Sequence, residues 1–333
     1  ERYFGLTNSE GNHGEDVKEL YYYLDNTPTH SYQRMLYKYP QAAFPYQQLV
    51  DENRRRTRLD PEFELLDTGI FDDDRYFDVF VEYAKAGPTD LLMTVTVYNR
   101  GPEPADLHVL PTLWFRNTWI FGDDSDGVPN YRPSLILQPD NCVSVEDSDL
   151  GRYVLHAEGQ PEWLFCDNET NQVRLYSNHN GAPYPKDGIN DYLIHGTPTV
   201  NPAYTGTKAA AHYQLTIAPN DSAVIRLRLE APGPLGTEMK APFDGFDAIV
   251  ATRKQEADAF YEHIHPPKAT TDERLVQRQV FAGMLWSKQY YYYDVTRWLA
   301  GDENHPPPPP ERLKGRNHTW LQLINAGVIS MPD

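Results

Sequence analysis

The sequence predicts a mainly β protein. It reads as stacked antiparallel sheets over residues 1–235, a helix over 236–268, and the opening helices of a further region over 269–333. Three observations predict this. Runs of five to ten residues alternate apolar and polar side chains, the period of a half-buried strand. Gly, Pro, Asn and Asp punctuate those runs at short intervals, as in antiparallel folds. After "APGPLG", Ala231 to Gly236, the apolar period switches from two to about 3.6.

The elements follow in order. "GNHGEDVKELYYYLDNTPTHSY", Gly11 to Tyr32, gathers His13, Glu15, Asp16, Glu19, three consecutive tyrosines and His30 around small turn residues. It reads either as the lining of a polar, aromatic-walled pocket or as a long loop capping the domain beneath it. "NRRRTR", Asn53 to Arg58, is a basic cluster flanked by Asp51, Glu52 and Asp60, and reads as a locally neutralised surface turn. In "DRYFDVFVEYAKA", Phe77, Val79, Val81 and Tyr83 share one strand face, and Asp78, Phe80, Glu82 and Ala84 the other. Two strands follow, Leu91 to Tyr98 and Leu107 to Phe115, joined through the turn at Arg100-Gly101-Pro102. Within "LPTLWFRNTW", Trp114, Arg116, Asn117 and Trp119 stand at a strand end before the acidic "GDDSDG". They fit a second sugar-sized pocket wall, or equally core tryptophans beside an ordinary loop. Further strands are expected from Ser134, Gly151, Pro161, Gln172, Ala210 and Ser222.

The C-terminal third changes character. Phe246, Ile249, Val250, Ala257, Phe260, Tyr261 and Ile264 recur at helical spacing until Pro266-Pro267 stops the helix. Thr270 and Glu273 form a capping-box pair that opens a helix expected over 271–299. Its stripe of Leu275, Val276, Val280, Phe281, Met284 and Leu285 is broad enough to demand partners on more than one side. "HPPPPP", His305 to Pro310, reads as polyproline II, and the final "TWLQLINAGVI" as a helix-like apolar run.

Bulk composition excludes several classes. The 333 residues carry 48 acids against 30 bases, a formal net charge of −18. That charge is wrong for displacing counterions from nucleic acid or for binding an anionic membrane. No apolar run reaches the ~18 residues of a membrane span. Two cysteines, Cys142 and Cys166, make no disulfide framework and fit a reducing, cytoplasmic setting. No Cys/His spacing of a metal site is present, and no cofactor is expected. The aromatic fraction of 13%, with 23 Tyr and 6 Trp, suits surfaces that meet something amphipathic, such as a sugar or another protein.

Several long strings carry a resemblance: "GLTNSEGNHGEDVKE", "PTHSY", "YKYPQAAFPY", "ELLDTGIFDDDRYFDVFVEYAKA", "LHVLPTLWFRNTW" and "PPPPPERLKGRNHTW…ISMPD". Together, along nearly the whole chain, they resemble bacterial members of glycoside hydrolase family 63, the glucosylglycerate and mannosylglycerate hydrolase-like α-glycosidases. The resemblance implies a β-supersandwich over 1–235, a linker helix over 236–268, and over 269–333 the start of an (α/α)6 barrel left incomplete. It implies hydrolysis of α-glycosidic bonds with inversion, which needs two carboxyl groups ~6.5–9.5 Å apart. In such enzymes the general acid follows "ISMPD" in a Trp-rich stretch and the base lies further on. No acid of this chain, Asp333 included, matches either role, so no catalytic residue is assigned and the chain alone is expected to be inactive. His13, Glu15, Asp16 and Tyr21, and secondly Trp114, Arg116, Asn117 and Trp119, are expected to rim the substrate mouth or an interdomain face. The substrate would be a carbohydrate held mainly by the missing barrel, and the exposed helical stripe would drive self-association. Two alternatives remain: a non-catalytic sugar-binding β-sandwich module, and part of a glycoside phosphorylase of the same plan.

Overall fold

A computed structural model describes residues 2–4, 17–121, 131–179, 181–232, 241–301 and 306–330. Strand β1 (Arg2–Phe4) precedes β2 (Val17–Asn26) and β3 (Tyr32–Pro40). Helix α1 (Tyr46–Arg55) leads to β4 (Tyr76–Gly87), β5 (Asp90–Asn99), β6 (Ala105–Val109) and β7 (Thr112–Trp114). Next come β8 (Ser134–Leu137), β9 (Val143–Asp147), β10 (Gly151–Ala157) and β11 (Glu162–Cys166). Helices α2 (Gln172–Tyr176) and α3 (Gly188–His195) precede β12 (Thr205–Gly206), β13 (Lys208–Ile217) and β14 (Ser222–Glu230). The chain then runs through α4 (Phe246–Ile264), α5 (Thr271–Trp286), β15 (Gln289–Asp294), α6 (Val295–Ala300) and β16 (Ile324–Ser330). The protein is therefore mainly β, and all of the strand pairs with a defined register are antiparallel.

The described residues form two compact units. The first draws on 1–108, 214–229 and 238–286, the second on 109–213, 230–237 and 287–333. In the first unit the sheet order is β1-β2-β3-β4-β5-β14. The β4–β5 hairpin closes tightly, Gly87 pairing with Asp90 around Pro88-Thr89. Buried Asn99 locks the far end of that hairpin. Its amide donates to the carbonyls of Glu103 and Ile217 and accepts from Gln41 and the Gly101 N–H, so a fully buried polar side chain is satisfied. Leu20, Leu49 and Leu65 form one apolar cluster with Phe63, Ile70 and Phe71, which seats α1. Ala84, Leu92 and Phe246 form another with Ile249 and Val250, which seats the start of α4. Thus the 3.6-residue pattern of α4 meets the two-residue pattern of β4 and β5.

Helix α5 is held to the same sheet by charge and aromatic contact. Arg278 pairs with buried Asp25 of β2 and, at 2.8 Å, with Asp258 of α4. Its guanidinium lies 4.7 Å over the Tyr261 ring, and the buried Tyr261 hydroxyl donates to the Asn26 carbonyl. The outer face of α5 behaves differently. Leu275, Val276, Val280 and Met284 are each more than half exposed.

In the second unit one sheet runs β10-β9-β8-β12, and β11 and β7 both pair with β13. Its core joins Leu164, Cys166, Ile189 and Ala210, with Leu110, Tyr184 and Tyr192 packed against them. Gly206 passes so close to β11 that an added Cβ would clash with the Cys166 carbonyl oxygen. Both cysteines are buried and unpaired with one another.

Several expectations are corrected. The segment from Gln172 is the helix α2, not a strand. Asn171 caps it by accepting from the Arg174 N–H, and Arg174 pairs with Asp187 and Asp191. Those tertiary pairs override a weak alternation. Helix 271–299 breaks at Trp286, because Tyr290 and Tyr291 pair with Ile329 and Val328 across β15 and β16. The final apolar run is accordingly strand β16 in part rather than helix. The strand expected over 107–115 divides into β6 and β7 at Leu110-Pro111, where proline supplies no ladder N–H. The stretch read as a capping loop contains the whole of β2, and the basic cluster closes α1, with Arg55 and Arg56 both paired to Glu52.

Candidate functional site

Of the first group of predicted site residues, His13, Glu15 and Asp16 lie outside the described residues. Tyr21 is described. Its ring meets Tyr23 edge-on at 5.0 Å, and the two hydroxyls lie 3.2 Å apart. Tyr23 in turn stacks on Trp286 of α5 at 5.1 Å, and Tyr83 of β4 tilts against the same indole at 6.3 Å. The tyrosine run of β2 is thus spent largely on seating α5. Strand alternation puts Tyr21 and Tyr23 on one side of β2, where Tyr21 packs on Tyr23 and Tyr23 on Trp286.

The second group divides. Asn117 donates to the Asn168 carbonyl at 2.9 Å, and Asn168 donates back to the Phe115 carbonyl at 2.8 Å. The Trp119 indole N–H donates to Glu169 at 2.9 Å. Arg132 joins the cluster, 2.6 Å from Asp167 and 3.3 Å from Glu169. Asn117 and Trp119 therefore clamp the 167–169 segment, and Glu169 accepts from both an indole and a guanidinium. Trp114 and Arg116 stay exposed at the end of β7. Arg132, Asp167 and Glu169 are the partners that sequence reasoning missed. They sit some fifty positions from Asn117 and Trp119 in part, and no local pattern marks them.

Two other acid groups have defined settings. Glu162 accepts from the Tyr192 hydroxyl at 2.6 Å and lies 2.9 Å from the His212 ring nitrogen. Partial burial works against its ionisation, yet the Tyr192 and His212 bonds hold it below the usual carboxylate range. Such a group is a poor proton donor at neutral pH. Asp25 shows the reverse: burial pushes its carboxyl up in spite of the Arg278 bond and charge. It is buried and engaged with Arg278 of α5.

A third region escaped sequence reasoning. A cleft of about 210 Å3 opens beside β3 and the loop after it, lined by Glu19, Tyr37, Tyr39, Ala42, Ala43 and Phe44 among others. Tyr37 and Tyr39 lie 6.1 Å apart with ring planes 29° from parallel. The Tyr37 hydroxyl donates to Glu19 at 3.0 Å. Burial first, and then the Glu19 carboxylate, push the Tyr37 phenol well above its ordinary value, so it remains a neutral hydroxyl. The signal was present in "YKYPQAAFPY", where two tyrosines two apart precede a proline and small residues. Among the described residues, no group of three or more His, Cys, Asp or Glu is placed to hold a metal ion. No described helix is long and apolar enough to cross a membrane.

Against known proteins, no family model matches the chain. It is 40% identical over 378 aligned residues to the uncharacterized protein YMR196W of Saccharomyces cerevisiae, a match that takes in all of this chain and 34% of the relative. The chain thus spans about a third of the length of that curated relative. Among solved structures, a putative kojibiose phosphorylase from the human microbiome aligns with 66% of this chain and 23% of its own, at 9% identity and a TM-score of 0.26, a likeness too slight to assign a fold.

Proposed function

We propose that this chain is the β-rich, non-catalytic portion of a longer inverting α-glycosidase of the family 63 kind. In this reading the sheets form the supersandwich, α4 is the linker helix, and α5 begins an (α/α)6 barrel that supplies the acid and base. The reading rests on the set of strings that resemble that family along nearly the whole chain. Two features support it: long helices follow the antiparallel sheets in chain order, and the 40% identical relative is about three times as long. The settled acids agree with a scaffold role. Glu162 is held ionised, Asp25 is enclosed, and Glu169 is doubly engaged. Inversion needs an acid kept protonated and a base across the bond from it.

The test is an assay of the 333-residue chain beside a polypeptide of the relative's extent, against glucosylglycerate, mannosylglycerate and simple α-glucosides. The chain alone gives no turnover. The longer polypeptide releases the sugar as its β-anomer first, seen by proton NMR before mutarotation. Turnover by the 333-residue chain, or retention of anomeric configuration, overturns the reading. A sugar-binding role without catalysis is favoured by one observation, the open tyrosine-lined cleft beside β3.

A further inference from the structure

We propose that the cleft formed by Glu19, Tyr37, Tyr39 and Phe44 binds one uncharged pyranose ring of a glycoside or oligosaccharide. The class of ligand rests on the glycoside reading above, and the cleft's own chemistry narrows it. Its volume, about 210 Å3, lies below the ~300 Å3 at which sites for drug-sized ligands begin, so it takes a single ring rather than a long chain. Ala42 and Ala43 leave that space, and buried Leu65 closes its back.

The walls select by shape. Tyr37 and Tyr39 lie alongside one another with planes 29° apart rather than converging on a point, and the exposed Tyr39 ring forms a shelf at the mouth. A cage for a quaternary cation needs rings turned toward one another around the charge. A shelf suits the flat C–H face of a pyranose, which is apolar on its faces and polar at its rim. Tyr39 at 44% exposure and Phe44 at 43% offer that apolar surface to solvent.

The polar groups select by charge. The Lys38 ammonium is turned to Asp78 at 2.8 Å and to the Tyr76 ring at 4.4 Å, so it offers no free cation to a phosphate or carboxylate. Glu19 brings a carboxylate, which repels anions and accepts from sugar hydroxyls. The neutral Tyr37 hydroxyl donates to one of its oxygens and fixes its orientation. Among the described residues the site therefore presents an apolar shelf beside a hydrogen-bond acceptor, with no free cation placed to neutralise a negative ligand.

The experiment titrates the 333-residue chain with methyl α-D-glucopyranoside and maltose, followed by calorimetry and saturation-transfer NMR. Tetramethylammonium and inorganic phosphate are the charged probes. Saturable binding of the sugars in the millimolar range is expected, with the pyranose C–H protons most strongly saturated. Tyr39→Ala weakens binding by about tenfold and Tyr39→Phe by less than about threefold, since only the shelf matters there. Glu19→Gln and Phe44→Ala also weaken it, and unchanged thermal midpoints show that these variants fold. Absence of saturable sugar binding overturns the proposal. So does binding that Tyr39→Ala leaves unchanged, or tighter binding of either charged probe. The same variants in the longer polypeptide separate the two readings. Turnover there without sugar binding at the cleft sinks this proposal and leaves the glycosidase standing. Binding at the cleft without turnover sustains this proposal and sinks the glycosidase.

Discussion

Strands β2 and β3 each carry a pair of tyrosines two residues apart, and the pairs meet opposite fates. Tyr21 and Tyr23 lie beside α5, where Tyr23 stacks on Trp286. Tyr37 and Tyr39 line an open cleft, with Tyr39 almost half exposed. The local chemistry is the same and the alternation is the same, so both pairs present two rings to one side of the sheet. What differs is whether a helix lies across them. Aromatic density therefore marks a candidate surface, and cover decides whether that surface holds the fold or stays available to a ligand.

The comparison breaks most forcefully at the contacts that hold the cover down. Arg278→Ala removes the ion-pair partner of buried Asp25 and leaves that carboxyl only the lesser influence of the Lys254 charge. A loss of about 3–5 kcal/mol in denaturant unfolding is expected, as for other buried pairs broken on one side. Trp286→Ala strips the ring that covers Tyr23 and is also lost against Tyr83. Because the site is only partly buried, the loss is set at about 2 kcal/mol, below the range for fully enclosed aromatics. At the other pair, Tyr39→Ala changes the urea midpoint little, by about 0.5 kcal/mol or less, since surface positions away from packed features move little. A Tyr39 effect as large as that of Trp286 would make the cleft part of the core.

Cover also governs the two thiols. Burial pushes both Cys142 and Cys166 up to about 12. In the unfolded chain a thiol ionises near pH ~8.5. The folded state holds its protons longer, so this contribution to stability is fully present below about pH 8.5 and declines as pH rises toward 12. The urea midpoint falls between pH 8 and pH 10, to a degree that replacing both cysteines with alanine reduces. Disulfide reagents at pH 8 label neither thiol until denaturant is added.

The outer face of α5 extends the lesson to a surface with no cover among the described residues. Leu275, Val276, Val280 and Met284 form a continuous apolar stripe on a helix whose inner face is docked. Self-association of the isolated chain is expected by light scattering, and Val280→Asp with Met284→Lys reduces it without lowering the urea midpoint. A monodisperse wild-type monomer would show that the stripe needs no partner. This effect is smaller in free energy than the loss of Arg278 and is read by mass rather than by stability.

Much of this was legible in the residues. The alternation in β4, β5 and β14, the helical period of α4 and the Thr270–Glu273 box of α5 all stand where the spacing put them. These elements are long, and their pattern and propensity agree. The site was less legible. Asn117 and Trp119 were singled out, but their partners Asn168 and Glu169, and the Arg132 that pairs with Glu169, come from elsewhere in the chain. The Tyr37–Tyr39 cleft was hidden because a strand pattern says which side a residue faces and not what lies opposite.

By itself, then, the sequence determined a mainly β chain with a negative charge, a switch from strand to helical period that the structure realises from Phe246, and a set of strings resembling a glycosidase family. Period, charge and turn chemistry are local properties and need no knowledge of distant neighbours. Only the tertiary structure decided that residues 172–176 coil into a helix, that the Tyr290 segment pairs as a strand, and that one tyrosine pair is covered while the other is open. Each of those outcomes turns on a contact between residues far apart in sequence. Burial and pairing at such contacts outweigh the few tenths of a kcal/mol by which most residues prefer one local conformation.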